Sequence, residues 1–336
     1  MHQQPRWRWG RAALALAAAV VTACGAPQTT EQGAAEPAAA PPLDRPPAGR
    51  LVPVGALPEG IVADAVTHTV AVAVREPPRL VLLDGRSGGV RAEIPLPGPL
   101  RHLQLAAPGG PVLVPVEATD ELLRVGLPDG AVVAEAGTGR FPHDATATAN
   151  GLVFVADEHG GTVSVLAGDR LVRRYEEPTQ PGGVAAAGDF VGMIDVAEST
   201  LTVYDTVAGV RLATVPAGDG PTHLVADRRG RLVVLDTRGD AVLVFEPGPQ
   251  PRLVATVPLP GRPYGVAYDP SRDELWVTLT DRNELVGLAL GSDEPREIVR
   301  LPTVRQPNTV AVDADTGRVF VAGTADGVVA LVDPPR

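Results

Sequence analysis

A regularly spaced proline is the feature of this sequence that most restricts its fold. Seven prolines follow one another at intervals of 39 to 44 residues: Pro58, Pro99, Pro142, Pro181, Pro221, Pro263 and Pro307. A repeat of about 40 to 50 residues is typical of β-propellers, in which each repeat forms one antiparallel blade. The spacing therefore predicts seven blades.

The residues after each proline support this interpretation. Units beginning at Pro263 and Pro307 both show an alternating strand, a turn rich in Asp, Gly or Arg, a second strand, a polar loop and a third strand. A fourth strand precedes the next proline, as in residues 297–301. No segment after the first 23 residues keeps a helical apolar period without Gly or Pro. We predict an all-β, seven-bladed β-propeller with four-stranded antiparallel blades over residues 51–336.

The two ends of this region predict how the ring closes. The seventh unit ends after its third strand, at residues 328–332, and lacks a fourth. Residues 51–57 precede the first proline and read as an outer strand without a blade. We expect 51–57 to pair with the last blade, and an outermost strand tolerates Pro53 because it needs hydrogen bonds on one side only.

Three short strings carry a family resemblance: PYGVA at 263–267, LWVT at 275–278 and VYD at 203–205. With these strings, residues 51–336 resemble the YVTN-repeat propellers of the YncE-like family. The unit that begins at Pro99 fits this repeat loosely. The resemblance implies the same seven-bladed fold, and such repeats specify a ligand hardly at all.

The N-terminus resembles that of a bacterial lipoprotein. Three arginines precede an uncharged run, residues 12–23, that is too short to span a bilayer and ends at Cys24. The string VTAC at 21–24 resembles a lipobox, which implies a signal peptide over 1–23 and lipidation of Cys24. The alternative is an ordinary signal peptide with a free cysteine. The expected location is the outer face of the cytoplasmic membrane.

Residues 24–50 are rich in Pro, Ala, Gly and Gln and contain one large aliphatic residue. This composition predicts a disordered tether between the lipid and the propeller. The chain carries a net charge of −11, which becomes more negative once the signal peptide is removed. Nucleic acid and anionic membrane surfaces are therefore unfavourable partners, and membrane contact is expected through the lipid only.

In a propeller, loops from strand four to the next strand one share a face with loops between strands two and three. We call this the entry face and expect the functional site there. Residues just after the prolines should then line the rim of the central channel. The rim candidates are Glu59, Arg101, Tyr264 and Asn308. His102 stands where other units carry Ile, Val or Leu, which favours a buried, hydrogen-bonded histidine.

Histidines and carboxylates are densest in the third unit. His143 and Asp144 enter its first strand, and an Asp-Glu-His string follows the second. Imidazole and carboxylate ligands would suit a divalent metal such as zinc. The candidate ligand residues are His143, Asp144, Asp157, His159 and His223. The alternative is that these acids are solvated and the histidines cap turns, since no close spacing such as HExxH occurs.

These observations favour a non-catalytic binding propeller whose acidic channel face contacts an exported protein, a metal ion or a small cationic ligand. One alternative is a metal-dependent lyase or lactonase that uses the same face. Another is an extracytoplasmic metal-binding chaperone for a transporter. Catalysis is disfavoured because the sequence lacks a GxSxG elbow, a CxxC pair and a phosphate-binding loop.

Overall fold

The structure is a computed structural model that describes residues 1–2, 33–291 and 295–335. Its 28 strands form seven four-stranded antiparallel sheets, each of them one blade, so the predicted propeller is confirmed. The described residues contain no helix, and hence none that is long and apolar enough to cross a membrane. The predicted signal peptide and Cys24 lie outside the described residues, apart from Met1 and His2.

The strands are numbered in chain order and run from the channel outward within each blade. Blade 1 contains β2 (Ala56–Asp64), β3 (Thr69–Glu76), β4 (Pro78–Asp84) and β5 (Val90–Pro95). Blade 2 contains β6 (Gln104–Leu105), β7 (Val112–Val116), β8 (Glu121–Val125) and β9 (Val132–Gly137). Blade 3 contains β10 (Pro142–Ala147), β11 (Leu152–Asp157), β12 (Thr162–Ala167) and β13 (Arg170–Tyr175). Blade 4 contains β14 (Pro181–Ala187), β15 (Phe190–Asp195), β16 (Thr200–Asp205) and β17 (Val210–Pro216).

Blade 5 contains β18 (Pro221–Ala226), β19 (Leu232–Asp236), β20 (Ala241–Glu246) and β21 (Arg252–Pro258). Blade 6 contains β22 (Pro263–Asp269), β23 (Glu274–Leu279), β24 (Glu284–Ala289) and β25 (Arg296–Pro302). Blade 7 contains β26 (Pro307–Asp313), β27 (Arg318–Gly323) and β28 (Val328–Val332), with β1 (Arg50–Pro53) as its outermost strand. The inner strands β2 and β26 contact each other, so the ring is closed.

Closure by the N-terminal strand is confirmed, with different bounds. Strand β1 covers Arg50–Pro53 and pairs antiparallel with β28, with Val52 opposite Val329. Ala56 and Leu57, which were expected in this strand, instead begin β2. Gly55 separates the two strands with a φ of +120°, a conformation that favours glycine.

The apolar core is divided into seven clusters, one between each pair of neighbouring blades. Successive residues of a strand point to opposite sides of its blade, so one strand serves two clusters. In β7, for example, Val112 and Val114 face blade 1 while Leu113 faces blade 3. Each blade is therefore packed against both neighbouring blades, and every junction between two blades contains an apolar cluster.

A β-bulge follows the repeating proline in six of the seven blades. The pairing register shifts between Pro58 and Ile61, Pro142 and Asp144, Pro181 and Val184, Pro221 and Leu224, Pro263 and Val266, and Pro307 and Thr309. Bulges re-aim side chains, so the one or two residues after each proline leave the ladder near the channel. Blade 2 is the exception, because its inner strand is reduced to Gln104–Leu105.

Residues 33–47, here called the N-terminal segment, lie along the entry face without regular secondary structure. The predicted tether is therefore not free from Gly33 onward. The Thr280 hydroxyl accepts a hydrogen bond from the amide of Ala38, and the Asn283 side chain donates one to the carbonyl of Pro41. The physical reason is that extended Pro/Ala-rich chain leaves its backbone groups unpaired, and polar loop side chains of blades 5 to 7 satisfy them.

We expect Gln306→Ala to release the N-terminal segment without unfolding the propeller. The Gln306 side chain donates to the carbonyl of Ala38 at 2.9 Å and accepts from the amide of Ala40 at 3.0 Å. Limited proteolysis should then cut within residues 33–47 several times faster than in the unsubstituted protein, with an unchanged melting temperature. The control is Gln250→Ala, at an exposed glutamine outside the segment, which should be cleaved at the original rate. Equal cleavage rates in all three proteins would contradict the prediction.

Candidate functional site

A cavity of about 550 Å³ in the central channel is the candidate site. All seven blades line it, mostly with aliphatic side chains such as Val62, Ala186 and Val266. Its lining extends to Arg228 and Pro270, which lie in turns between strands one and two. The cavity therefore reaches the face opposite the entry face, and its size is that of a small-molecule site.

Buried side chains fill the channel toward the entry face. His143, Thr222, Tyr264 and Asn308 each follow a repeating proline, are at most 8% exposed and do not line the cavity. Burial, followed by the charges of Glu36 and Glu59, raises the pKa of Tyr264. The channel is thus blind at the entry face, which is where the sequence analysis expected the site to open.

Two histidines from opposite sides of the ring meet at the blind end. His102 Nε2 of blade 2 lies 3.2 Å from His223 Nε2 of blade 5. His223 Nδ1 donates to the carbonyl oxygen of Tyr264 at 2.5 Å. Burial lowers the pKa of His223 to about 4 and that of His102 well below its usual value. Both imidazoles are therefore neutral at pH 7.

A charged cluster lies beside this pair. His143 Nδ1 is 3.1 Å from Glu158 Oε2, and Arg101 Nε is 3.2 Å from Glu117 Oε1. Burial raises the pKa of Glu117, an effect that the charges of Arg101 and His143 only partly offset. For Glu158 burial again raises the pKa, but His143, Gln180 and Arg101 together outweigh it and hold the pKa at about 2.

Asp144 joins three blades beneath the cluster. Its carboxylate accepts the amides of Ala145 and Val184, both at 2.9 Å, and the Gln104 Nε2 group at 3.0 and 3.1 Å. Burial raises the pKa of Asp144 to about 6 despite these hydrogen bonds. The residue lines the cavity and also fixes the orientation of Gln104.

The five residues predicted to hold a ligand or metal do not converge. His143 and Asp144 are neighbours on β10, yet their side chains contact different groups. Asp157 points into blade 3, where it accepts from Gly139, Thr162 and Ser164. His159 is exposed and stacks on Phe141, with ring centroids 4.2 Å apart. His223 meets His102 instead.

No set of three or more His, Cys, Asp or Glu residues in the part of the chain that the structure describes is arranged to hold a metal ion. Buried Asp157 shows why. An Asp at the end of strand two recurs in blades 4 and 5, as Asp195 and Asp236, and both accept amides of the preceding loop. This position stabilises loops, and the geometry gives zinc no support there.

The predicted rim residues lie on four consecutive blades of the ring, 6, 7, 1 and 2. Glu59 pairs with Arg75 at 2.7 Å, and the Asn308 amide lies 3.5 Å from Glu59. Arg101 turns toward Glu117 and Glu158. Glu59, Arg101, Tyr264 and Asn308 therefore surround the blind end of the channel, as parts of its closure.

The expectation that His102 is hydrogen-bonded is confirmed by its contact with His223, but sequence reasoning missed that partner and the role of Gln104. In the column of residues after the prolines, His102 stands where five of the other six blades carry Ile, Val or Leu. Blade 2 departs from that register, since its inner strand starts only at Gln104. The loose fit of the unit after Pro99 was the signal that this register does not hold.

No known family profile matches this chain, and no curated protein sequence matches it. Solved structures are similar at 12 to 16% identity. Hydrazine synthase from Kuenenia stuttgartiensis is 16% identical with a TM-score of 0.72, over 83% of this chain and 96% of that one. Virginiamycin B lyase from Staphylococcus aureus is 16% identical with a TM-score of 0.67, over 85% and 99%.

The Swd1 β-propeller domain from Myceliophteria thermophila is 13% identical with a TM-score of 0.70, over 85% of this chain and 100% of that one. The names of these three proteins indicate no common function. At such identities the likeness concerns the fold alone. The protein is accordingly a seven-bladed β-propeller whose neighbours in fold include a streptogramin B lyase and the Swd1 propeller domain.

Proposed function

We propose that this protein is a non-catalytic binding propeller that holds a small molecule in its channel cavity. The observation that carries the proposal is the blind channel: about 550 Å³ with aliphatic walls, reached from one face and ending in an ordered polar layer. Concave, largely apolar sites with a few convergent polar groups are typical of small-molecule binding. The YVTN-type strings in the sequence support a place among YncE-like propellers.

We further propose that the protein is exported and anchored through a lipidated Cys24. Eight residues separate Cys24 from Gly33, so the two can be at most about 30 Å apart when the chain is extended. The N-terminal segment starts on the entry face, where Arg238 holds the carbonyl of Gly33. The entry face would then lie near the membrane, and the mouth of the cavity would face away from it.

A size-matched set of one-ring probes tests the binding proposal: toluene, benzyl alcohol, benzylamine and benzoate. We expect at least one to bind saturably by ligand-observed NMR and to lose that binding in Ala186→Phe, which fills the cavity. Val207→Phe adds the same ring at a residue that is 72% exposed and should change nothing. If no probe binds, or if Ala186→Phe binds as well as the unsubstituted protein, the cavity is not the site.

A further inference from the structure

We propose that the ligand presents a hydrogen-bond donor, specifically a primary or secondary amine, to the blind end of the cavity. This inference rests on the proposed function and specifies the chemical class of its ligand. It follows from two uncharged acceptors at the blind end, on His102 and Gln104, to which no described residue donates.

The hydrogen bonds of the histidine pair fix the position of each proton. The carbonyl oxygen of Tyr264 can only accept, so His223 Nδ1 carries a proton. In a neutral His223, Nε2 is then an acceptor, and His102 must donate to it from its own Nε2. A neutral His102 therefore has an unprotonated Nδ1. Among the described residues this nitrogen has no hydrogen-bond partner.

The amide of Gln104 is fixed in the same way. Its nitrogen lies within hydrogen-bond distance of both oxygens of Asp144 and of the carbonyl of Val184, at 2.8 Å. All of these partners are acceptors, so they require the NH₂ group rather than the oxygen. Gln104 Oε1 is consequently directed elsewhere, and no described residue donates to it. Gln104 and His102 both line the cavity, so each offers it one acceptor.

The remaining polar groups near the blind end favour a cation. Arg101 also lines the cavity, but its charge is balanced by the carboxylates of Glu117 and Glu158, and its guanidinium carbon lies 5.9 Å from the centre of the Phe141 ring. Asp144 adds a carboxylate to the cavity lining. At the mouth, Arg228 is balanced by Asp273 at 3.0 Å. A carboxylate or phosphate would meet acceptors and like charge, whereas an ammonium donates to the acceptors and is attracted by Asp144.

The test compares benzylamine with benzoate, with benzyl alcohol as the neutral donor. We expect benzylamine to bind at least tenfold more tightly than benzoate, and benzyl alcohol to fall between them. His102→Leu removes the acceptor and should weaken benzylamine about tenfold while leaving toluene unchanged. His102→Asn, whose Oδ1 replaces Nδ1, should restore most of the affinity. His159→Leu makes the same change at the exposed histidine outside the cavity and should have no effect.

Benzoate that binds as tightly as benzylamine, or more tightly, would overturn the inference. The binding proposal would still hold if Ala186→Phe abolished the binding of benzoate. The inference is also overturned if His102→Leu and His159→Leu bind benzylamine equally well. If no probe of the set binds to the unsubstituted protein, the binding proposal fails and the inference with it. Circular dichroism and melting temperature of each variant identify any that fails to fold, and His102→Asn then serves as the folded comparison.

Discussion

A chain that begins at Val54 is expected to be about 5 kcal/mol less stable than one that begins at Ala48, and to melt roughly 10 °C lower. The only difference is residues 48–53, which contain the closing strand β1. Val52 is buried against blades 1 and 7, and β1 occupies the outer edge of β28. Without it, β28 exposes unpaired backbone groups, and such edges promote aggregation.

The Ala48 chain is the matched control because it lacks the N-terminal segment but keeps the strand. Differential scanning calorimetry of both proteins separates the contribution of ring closure from that of the segment. Light scattering at the midpoint should also rise earlier in the Val54 chain. Melting temperatures within about 2 °C of each other would show that the three remaining strands of blade 7 suffice, contrary to the prediction.

The propeller could be predicted because its determinants are local and repeated. Each blade repeats the same proline, turn residues and alternating strands, and seven copies make the period visible even where one copy is poor. The closing strand followed from a simple count, since blade 7 lacks a fourth strand within its own unit. The exact end of the closing strand could not be predicted, because the change from β1 to β2 depends on the conformation of Gly55 in the folded ring.

The site was harder to predict because it depends on contacts between distant blades. His102 and His223 are 121 residues apart and meet only when the ring closes. The Asp-Glu-His string in blade 3 suggested one cluster, yet strand alternation sends Asp157 inward and the turn leaves His159 outside. Only Glu158 of that string reaches His143. The local density of titratable residues therefore suggested a metal site that the fold does not assemble. The irregular repeat in blade 2 made the polar end of the cavity hard to recognise in the sequence.

Arg101→Met is expected to destabilise the folded protein by about 3–5 kcal/mol at pH 7.5, as is typical when one partner of a buried ion pair is removed. Glu117 and Glu158 are only 5% and 6% exposed, and the guanidinium is their shared cation. Loss of the guanidinium leaves the two buried carboxylates, which lie beside His143, without this shared counterion. Arg252→Met removes an exposed partner of Glu246 instead and should cost less than about 1 kcal/mol.

The pH dependence of Arg101→Met has a definite sign. In the unsubstituted protein the pKa of Glu158 is held at about 2, so its contribution to stability is present above its unfolded pKa and is lost as the pH falls toward 2. Without Arg101, the pKa of Glu117, which burial already raises, should rise further, because Arg101 is the charge that lowers it most. The folded state then takes up a proton more readily than the unfolded state, so stability should increase as the pH falls from 7.5 to 5.

Urea unfolding at pH 5 and pH 7.5 measures this effect. Asp144, whose pKa is raised to about 6, adds a slope of the same sign to every variant, so the comparison is between Arg101→Met and Arg252→Met. The midpoint of Arg101→Met should lie closer to that of the control at pH 5 than at pH 7.5. A constant difference between the two variants would mean that Arg101 stabilises the blind end through packing of its aliphatic stem, and the charged cluster would then not control the pH response.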